Sequence, residues 1–138
     1  MKTKSESFAQ LKNKAIGASQ NAYSPYSKFS VGAAVMDSAG NIYAGCNVEN
    51  ASYGMTQCAE RNALATAIAD GSAVGSLQVM VIYIEGDIAH PPCGACRQVM
   101  QELMAEDSEV VSCCDGSAIR VWAPSDYLPD HFVFPDRP

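Results

Sequence analysis

The sequence predicts an α/β protein in which helices cover both faces of a mixed central sheet of about five strands. One observation is a helical pattern near the N-terminus, where apolar residues recur at intervals of three and four. These apolar residues are Phe8, Leu11, Ala15, Ala18 and Ala22. The other is the order of all the predicted segments, which is helix, two strands, helix, strand, helix and two strands.

The first helix is expected over residues 5–22, and the turn at Ser24–Pro25 ends it. The apolar runs 29–36 and 42–48 flank the polar turn 37–41. Two apolar runs separated by a short polar turn containing glycine are typical of a β-hairpin.

A second helix is expected from a Thr56 cap to about Asp70, with Gly71 as its stop. It is apolar around most of its girth, so we expect it to be buried. A third helix is predicted to start near Cys93 and to bury Val99, Met100, Leu103 and Met104. The remaining strands are expected over 79–84, 109–113 and 119–122.

Length and charge limit the classes of function. With 138 residues, one domain spanning residues 1–138 can bury a core without a second module. The formal net charge of -6 argues against nucleic-acid binding, which depends on Lys and Arg at phosphates. The longest apolar run, Val79–Ile84, is far too short to cross a membrane. We therefore expect a cytoplasmic protein that acts on a small molecule and binds neither nucleic acid nor a membrane.

The six cysteines are more informative than the overall composition. No secretory signal is recognisable, so reduced thiols or metal ligands are favoured over disulfides. Cys93 and Cys96 form a CxxC pair at a helix start, which is compatible with redox chemistry, structural zinc or catalytic zinc. Cys58 also lies near a predicted helix N-terminus, where the helix dipole lowers a thiol pKa. Two helix ends could therefore converge on one metal ion.

Three protein ligands leave the fourth tetrahedral position for water, which distinguishes catalytic from structural zinc sites. Cys46, Cys113 and Cys114 lack ligand spacing, and buried structural thiols are the favoured interpretation for them. His90 and His131 are weaker alternative ligands. If Cys46 or a histidine completed the coordination, the chain would be a structural zinc module instead. A dithiol redox protein is the third alternative.

The two residues after Cys58-Ala59 could complete a reaction centre. A metal beyond the helix end can bind Cys58 while Glu60, in the first turn, carries protons without being a ligand. The alternative is a first-turn glutamate that only complements the helix dipole. Arg61 could donate to a thiolate sulfur and offset the negative charge of three thiolates. Its alternative is a solvated surface arginine.

Cys58-Ala59-Glu60-Arg61, followed by Pro92-Cys93-Gly94-Ala95-Cys96-Arg97-Gln98, resembles the zinc-deaminase pattern in its all-cysteine variant. The blocks 23–29, 31–34 and 45–54 extend the resemblance to the nucleoside cytidine deaminases across most of the chain. The resemblance implies a cytidine deaminase-like three-layer α/β/α sandwich with one Zn²⁺ per subunit. It also implies hydrolysis of cytidine and deoxycytidine to uridine and deoxyuridine, with release of ammonia, in pyrimidine salvage.

The resemblance also assigns substrate contacts. Asn47 and Glu49 match a pair that contacts the ribose hydroxyls, and residues i and i+2 of a strand do face the same side. Phe29 matches an aromatic residue beside the pyrimidine, and the backbone of Ala59 matches a contact to the base.

Two further positions imply an oligomer. Tyr53 and Phe132 resemble residues that neighbouring subunits contribute to the pocket, and a homotetramer is therefore expected. Core or interface packing is the alternative role for these aromatics and for Phe29. The chain departs from the family pattern at His90–Pro91, where a small polar residue is more usual, and at the C-terminal aromatics Trp122 and Phe134.

The hypothesis for catalysis is that Glu60 takes a proton from water and delivers it to ring N3 while the water oxygen attacks C4. A deaminase of a nucleoside antibiotic or a modified pyrimidine would use the same metal chemistry. A polynucleotide deaminase is disfavoured, because basic stretches interleaved with aromatics are missing.

Overall fold

The computed structural model describes residues 4–136, in which five strands alternate with helices along the chain. The helices are α1 (Lys4–Ser19), α2 (Ala59–Ala69), α3 (Gly94–Leu103) and the short α4 (Pro124–Tyr127), with a 3₁₀ turn at Tyr53–Met55. The strands are β1 (Val31–Asp37), β2 (Ile42–Cys46), β3 (Leu77–Ile84), β4 (Met104–Cys113) and β5 (Ile119–Trp122).

The strands form one sheet in the order β2-β1-β3-β4-β5. Only β3 and β4 run parallel, and the other neighbouring pairs are antiparallel. Parallel strands need a crossover connection, which α3 supplies. The predicted mixed five-stranded sheet is confirmed. Because β3 leads directly towards α3, the N-terminus of α3 lies at the edge of the sheet where β3 ends.

Helices pack on both faces of the sheet, as predicted. Along β1, Ala33 and Val35 face the cluster that contains residues of α2 and α3. Ala34 and Met36 face the opposite cluster, which contains Leu11 of α1. This alternation follows from the two-residue period of a strand. It produces the expected three layers, with α1 on one side of the sheet and α2 and α3 on the other.

Glycine lets the helical layers approach the sheet closely. A Cβ atom at Gly45 of β2 would lie 2.5 Å from the backbone nitrogen of Ala63 and 2.7 Å from the carbonyl oxygen of Ala59, both in α2. On the other face, a Cβ at Gly32 would collide with the carbonyl oxygen of Ala15 in α1. Both helix backbones therefore lie nearer the sheet than any side chain would permit.

Several predicted boundaries were wrong for identifiable reasons. Helix α1 ends at Ser19 and not at Ala22, because the chain turns and the Tyr23 N–H bonds to the Asn47 carbonyl instead. Helix α2 starts at Ala59 with Cys58 as its N-cap. Thr56 is not the cap, since its N–H closes the preceding 3₁₀ turn.

Helix α2 is also less enclosed than expected. Ala63, Leu64 and Ala67 are buried, whereas Ala65 and Thr66 are exposed. Strand β4 begins at Met104, five positions before the predicted start at 109, and α4 was not predicted. Within residues 4–136, no helix combines the length and apolar character needed to cross a bilayer.

Candidate active site

Three thiols meet where α2 and α3 begin. Cys58 is the N-cap of α2, Cys93 is the N-cap of α3, and Cys96 lies in the first turn of α3. Their sulfur atoms lie within 4.8 Å of one another. The sheet brings the two helix ends together, although Cys58 and Cys93 are 35 positions apart in the chain.

The donor set fits a zinc ion. The Sγ atoms of Cys58 and Cys93 are 3.8 Å apart, and two thiolates bound tetrahedrally at about 2.3 Å from zinc would be separated by about 3.8 Å. Cys96 is buried and Cys93 is exposed, so one side of the group faces solvent. Within residues 4–136, no other His, Cys, Asp or Glu joins this group. A closed structural site completed by Cys46 or a histidine is therefore disfavoured.

The surroundings of Cys58 favour its thiolate form. A hydrogen bond from Cys96, supported by one from Arg61, lowers the pKa of Cys58 to about 5. The Arg61 Nη2 atom lies 3.4 Å from Cys58 Sγ, and this hydrogen bond raises the pKa of the guanidinium above its usual value. The hydrogen bond to Cys58, followed by burial, raises the pKa of Cys96. Arg61 is thus a partner of the thiol group and not a solvated surface residue.

Glu60 places a carboxyl group against the same thiols. Its side chain is 6% exposed, and its Oε2 atom lies 3.5 Å from Cys96 Sγ. Burial raises the pKa of this carboxyl, because a charged carboxylate is poorly solvated there. A buried carboxyl with a raised pKa, beside thiols that could hold a metal ion, can accept and return a proton.

Asn47 holds the chain segment that leads into β1. Its Oδ1 accepts a hydrogen bond from the Val31 N–H at 2.9 Å, and its Nδ2 donates to the Phe29 carbonyl at 2.7 Å. The amide therefore fixes the backbone of Phe29. These bonds do not involve a ribose, and the ribose contact of Asn47 stays a prediction.

Glu49 is fixed by a tight turn. Its Oε1 accepts hydrogen bonds from the backbone N–H groups of Tyr26 at 3.0 Å and Ser27 at 3.2 Å. A hydrogen bond from the Ser27 side chain makes the largest contribution to lowering the pKa of Glu49, and the two backbone N–H groups lower it further. Glu49 is therefore ionised at neutral pH. Sequence reasoning did not find these partners, because a backbone donor has no signature in the sequence.

A cavity of about 380 Å³ lies beside Glu49. It is lined by Tyr26, Ser27, Glu49, Tyr53 and Thr56. The rings of Tyr26 and Tyr53 meet edge to face, with centroids 5.9 Å apart. The Thr56 carbonyl lies 3.5 Å from Arg61 Nη2, which connects this hollow to the thiol group.

A larger cavity of about 910 Å³ lies next to the β1–β2 turn and contains none of the predicted site residues. The thiols, the Glu60 carboxyl and the smaller hollow together identify the region where chemistry is possible.

The two remaining aromatics lie in different surroundings. The Phe29 ring packs edge to face on His90, with centroids 5.2 Å apart. His90 is three residues before Cys93, so Phe29 borders the loop that leads to the thiols. Phe132 is 68% exposed, and its described ring contact is with Phe134.

Comparison with known proteins agrees with this geometry. Residues 5–114 match the family model described as the cytidine and deoxycytidylate deaminase zinc-binding region. The chain belongs to the cytidine and deoxycytidylate deaminase family. The three thiols positioned to bind a metal ion are in keeping with a zinc-binding deaminase domain.

Similarity to individual deaminases extends over almost the whole chain. A cytidine deaminase of Halalkalibacterium halodurans is 43% identical over 128 residues, which cover 91% of this chain and 94% of the relative. One from Mycobacterium tuberculosis is 37% identical over 129 residues, with coverage of 93% and 91%. The crystal structure of cytidine deaminase from Burkholderia pseudomallei superposes with a TM-score of 0.85 at 45% identity and covers 90% of this chain and 98% of that one. The deaminase fold predicted from the sequence is confirmed.

Proposed function

We propose that this protein is a zinc-dependent deaminase that hydrolyses cytidine and deoxycytidine to uridine and deoxyuridine with release of ammonia. The observation that carries the proposal is the placement of the buried Glu60 carboxyl against three thiols in a chain of the deaminase family. Its relatives named cytidine deaminase support a nucleoside as the substrate.

Cys58, Cys93 and Cys96 would hold the zinc ion. When bound, zinc supplies a Lewis acid that lowers the pKa of water towards neutrality. Arg61 donates to Cys58 Sγ and so offsets part of the negative charge that three thiolates bring.

Glu60 moves the protons of the reaction. As the water oxygen forms its bond to C4 of the pyrimidine, Glu60 accepts a proton from the water and delivers it to N3. The second proton of the attacking water, now on the hydroxyl at C4, is carried by Glu60 to the exocyclic amine; the bond between C4 and that nitrogen then breaks, and ammonia leaves. The burial that raises the Glu60 pKa makes its carboxylate a stronger base for the first transfer.

The substrate would lie between Glu49 and Phe29. Glu49 is ionised at neutral pH and can accept a hydrogen bond from a ribose hydroxyl. Asn47 holds the backbone of Phe29 and Val31 by the two bonds described above, and it contributes to the ribose contact. The Phe29 ring borders the base, and the Ala59 backbone contacts it at the start of α2.

We propose a homotetramer in the cytoplasm, serving pyrimidine salvage. Tyr53 and Phe132 are 76% and 68% exposed. Tyrosine and phenylalanine are enriched where protein chains meet, so both residues suit contact with a neighbouring subunit. In that assembly each pocket would receive aromatic residues from its neighbours.

The test is ultraviolet absorbance of zinc-loaded protein with cytidine, deoxycytidine and CMP in parallel, with ammonia release as the second readout. We expect the cytosine band to disappear with both nucleosides but not with CMP, whose phosphate the Glu49 carboxylate repels. No change with either nucleoside, in protein shown to contain zinc, would contradict the proposal. Modified pyrimidines would then be the next substrates to assay.

A further inference from the structure

We propose that Arg97 and Gln101 of α3 are positioning residues that fix the C-terminal segment, residues 127–134, and thereby aim Phe132. We call this pair the α3 latch. The inference rests on the proposed function, in which Phe132 completes a neighbouring pocket. It adds residues that neither touch the substrate nor bind the metal.

Arg97 joins two parts of the chain through one guanidinium group. Its Nε atom donates to the Pro92 carbonyl at 2.8 Å, and its Nη1 atom donates to the Tyr127 carbonyl at 3.3 Å. Pro92 directly precedes Cys93, and Tyr127 ends α4. The rigid, planar fork of arginine can hold both carbonyls at once, whereas a lysine ammonium is a single point on a flexible stem.

Gln101 provides the second hold, one helical turn further along α3. Residues four apart lie on the same side of a helix, so Gln101 follows Arg97 along one face. Its Nε2 atom lies 3.4 Å from the Nε2 atom of His131, the residue before Phe132. The two residues thus contact the C-terminal segment at Tyr127 and at His131.

The Gln101 side chain is not explained by packing alone. Its Oε1 atom is buried and has no hydrogen-bond partner within residues 4–136. A buried, unpaired amide oxygen is unfavourable, and an apolar side chain of similar size would fill the space without that cost. We attribute the presence of an amide at this position to its nitrogen, Nε2, which contacts His131.

Leu128 packs against the core, and beyond it the segment lies on the surface. Tyr127 is buried, whereas residues 129–136 are exposed. Without the hold at His131, Phe132 would sample many directions. Fixing Phe132 before a neighbour binds would reduce the entropy lost when its side chain is ordered.

Hydrogen exchange on the zinc-loaded protein tests the latch without reference to activity. We expect Gln101→Leu and Arg97→Leu to accelerate amide exchange in 128–134 by about three- to tenfold. The exposed Glu102 on the same helix supplies the matched control, and Glu102→Gln should leave exchange unchanged. Wild-type exchange in both latch variants would overturn the proposal.

A double-mutant cycle then tests whether the latch acts through Phe132. Gln101→Leu should lower kcat/KM by about three- to tenfold with unchanged zinc content, and it should have no further effect in a Phe132→Ala background. Losses that add, or an unchanged Gln101→Leu enzyme, would contradict the proposal. Failure of the proposed function would give a different result. The wild-type protein would then deaminate neither nucleoside, while the latch variants would still exchange amide hydrogens faster than the wild type.

Discussion

Glu60 illustrates how one residue acquires chemistry from its position. The carboxyl is in the first turn of α2, where most glutamates are solvated, yet the sheet and α3 enclose it beside Cys96. Burial by the surrounding structure, and not the place of Glu60 in the helix, raises the pKa of this carboxyl.

The Glu60→Gln variant keeps the shape of this side chain but cannot accept a proton. We expect the variant to bind zinc as the wild type does and to lose about 10²–10⁴-fold in kcat, the range typical of general acid–base catalysis. Mass spectrometry measures the zinc content of the variant, and ultraviolet absorbance measures its turnover. Near-normal turnover would remove Glu60 from the proton-carrying role.

Asp37 shows a carboxylate with a structural role. It accepts hydrogen bonds from the N–H groups of Ala39 and Asn41, from Asn41 Nδ2 and from Ser72 Oγ. Burial acts to raise its pKa, but these hydrogen bonds from Asn41, Ser72 and Ala39 outweigh burial and lower it. The charged form therefore ties the β1–β2 turn to the segment after α2.

A lowered pKa means that the unfolded chain binds the proton more tightly, so this contribution to stability is present above the ordinary aspartate pKa of 3.8 and lost as pH falls through the folded value. We expect Asp37→Asn to lower the free energy of unfolding by about 2 kcal/mol near pH 7. The difference from wild type should shrink at about pH 3. Denaturant unfolding at both pH values measures it, and a pH-independent difference would contradict the explanation.

At this scale the sequence predicted correctly that three thiols meet in a group that could hold a metal ion, since cysteine spacing and helix starts are local signals. It could not predict that Asn47 and Glu49 are held by backbone groups of residues 26–31. Those partners depend on how distant loops meet.

At the scale of elements, the contact between β2 and α2 leaves the least space for a side chain. Gly45 faces the backbone of Ala59 and Ala63, and α2 begins with the residues that carry the proposed chemistry. Any side chain at position 45 must push α2 away from the sheet.

We expect Gly45→Ala to destabilise the fold by about 1–3 kcal/mol, the usual cost of overpacking, and to weaken zinc binding by displacing Cys58. Gly17 of α1 is the matched control, because a Cβ there meets nothing within 4 Å. Gly17→Ala should be neutral or slightly stabilising. Thermal unfolding and zinc titration measure both variants, and equal behaviour of the two would refute the role of the close approach.

The order and type of the main elements were predictable, because apolar periodicity distinguishes helix from strand. Their ends were less so. The cap of α2 was misplaced because a 3₁₀ turn uses Thr56, and α4 is too short to produce a periodic pattern. The β3–β4 pairing was not deducible from either strand alone.

At the scale of the whole molecule, the proposed tetramer makes a quantitative prediction about mixed subunits. Glu60→Gln and Phe132→Ala chains would each be defective alone. If every pocket takes Glu60 from one subunit and Phe132 from another, about a quarter of the pockets in a random equal mixture are intact.

The mixture should therefore be more active than the average of its parents after the subunits are dissociated and reassembled. Mixing without dissociation is the control. No gain on reassembly would show that both residues serve a pocket within one chain. Light scattering of the wild type independently tests whether four chains associate.

The separation of the thiols in the chain has a practical consequence. Strand β3 lies between Cys58 and Cys93 in the chain, and in the folded sheet the two sulfur atoms are 3.8 Å apart. A metal ion bound by both thiols would therefore report whether the sheet is folded. Cobalt bound at thiolates absorbs visible light, so a cobalt-loaded chain would change colour as the sheet comes apart, without an attached dye.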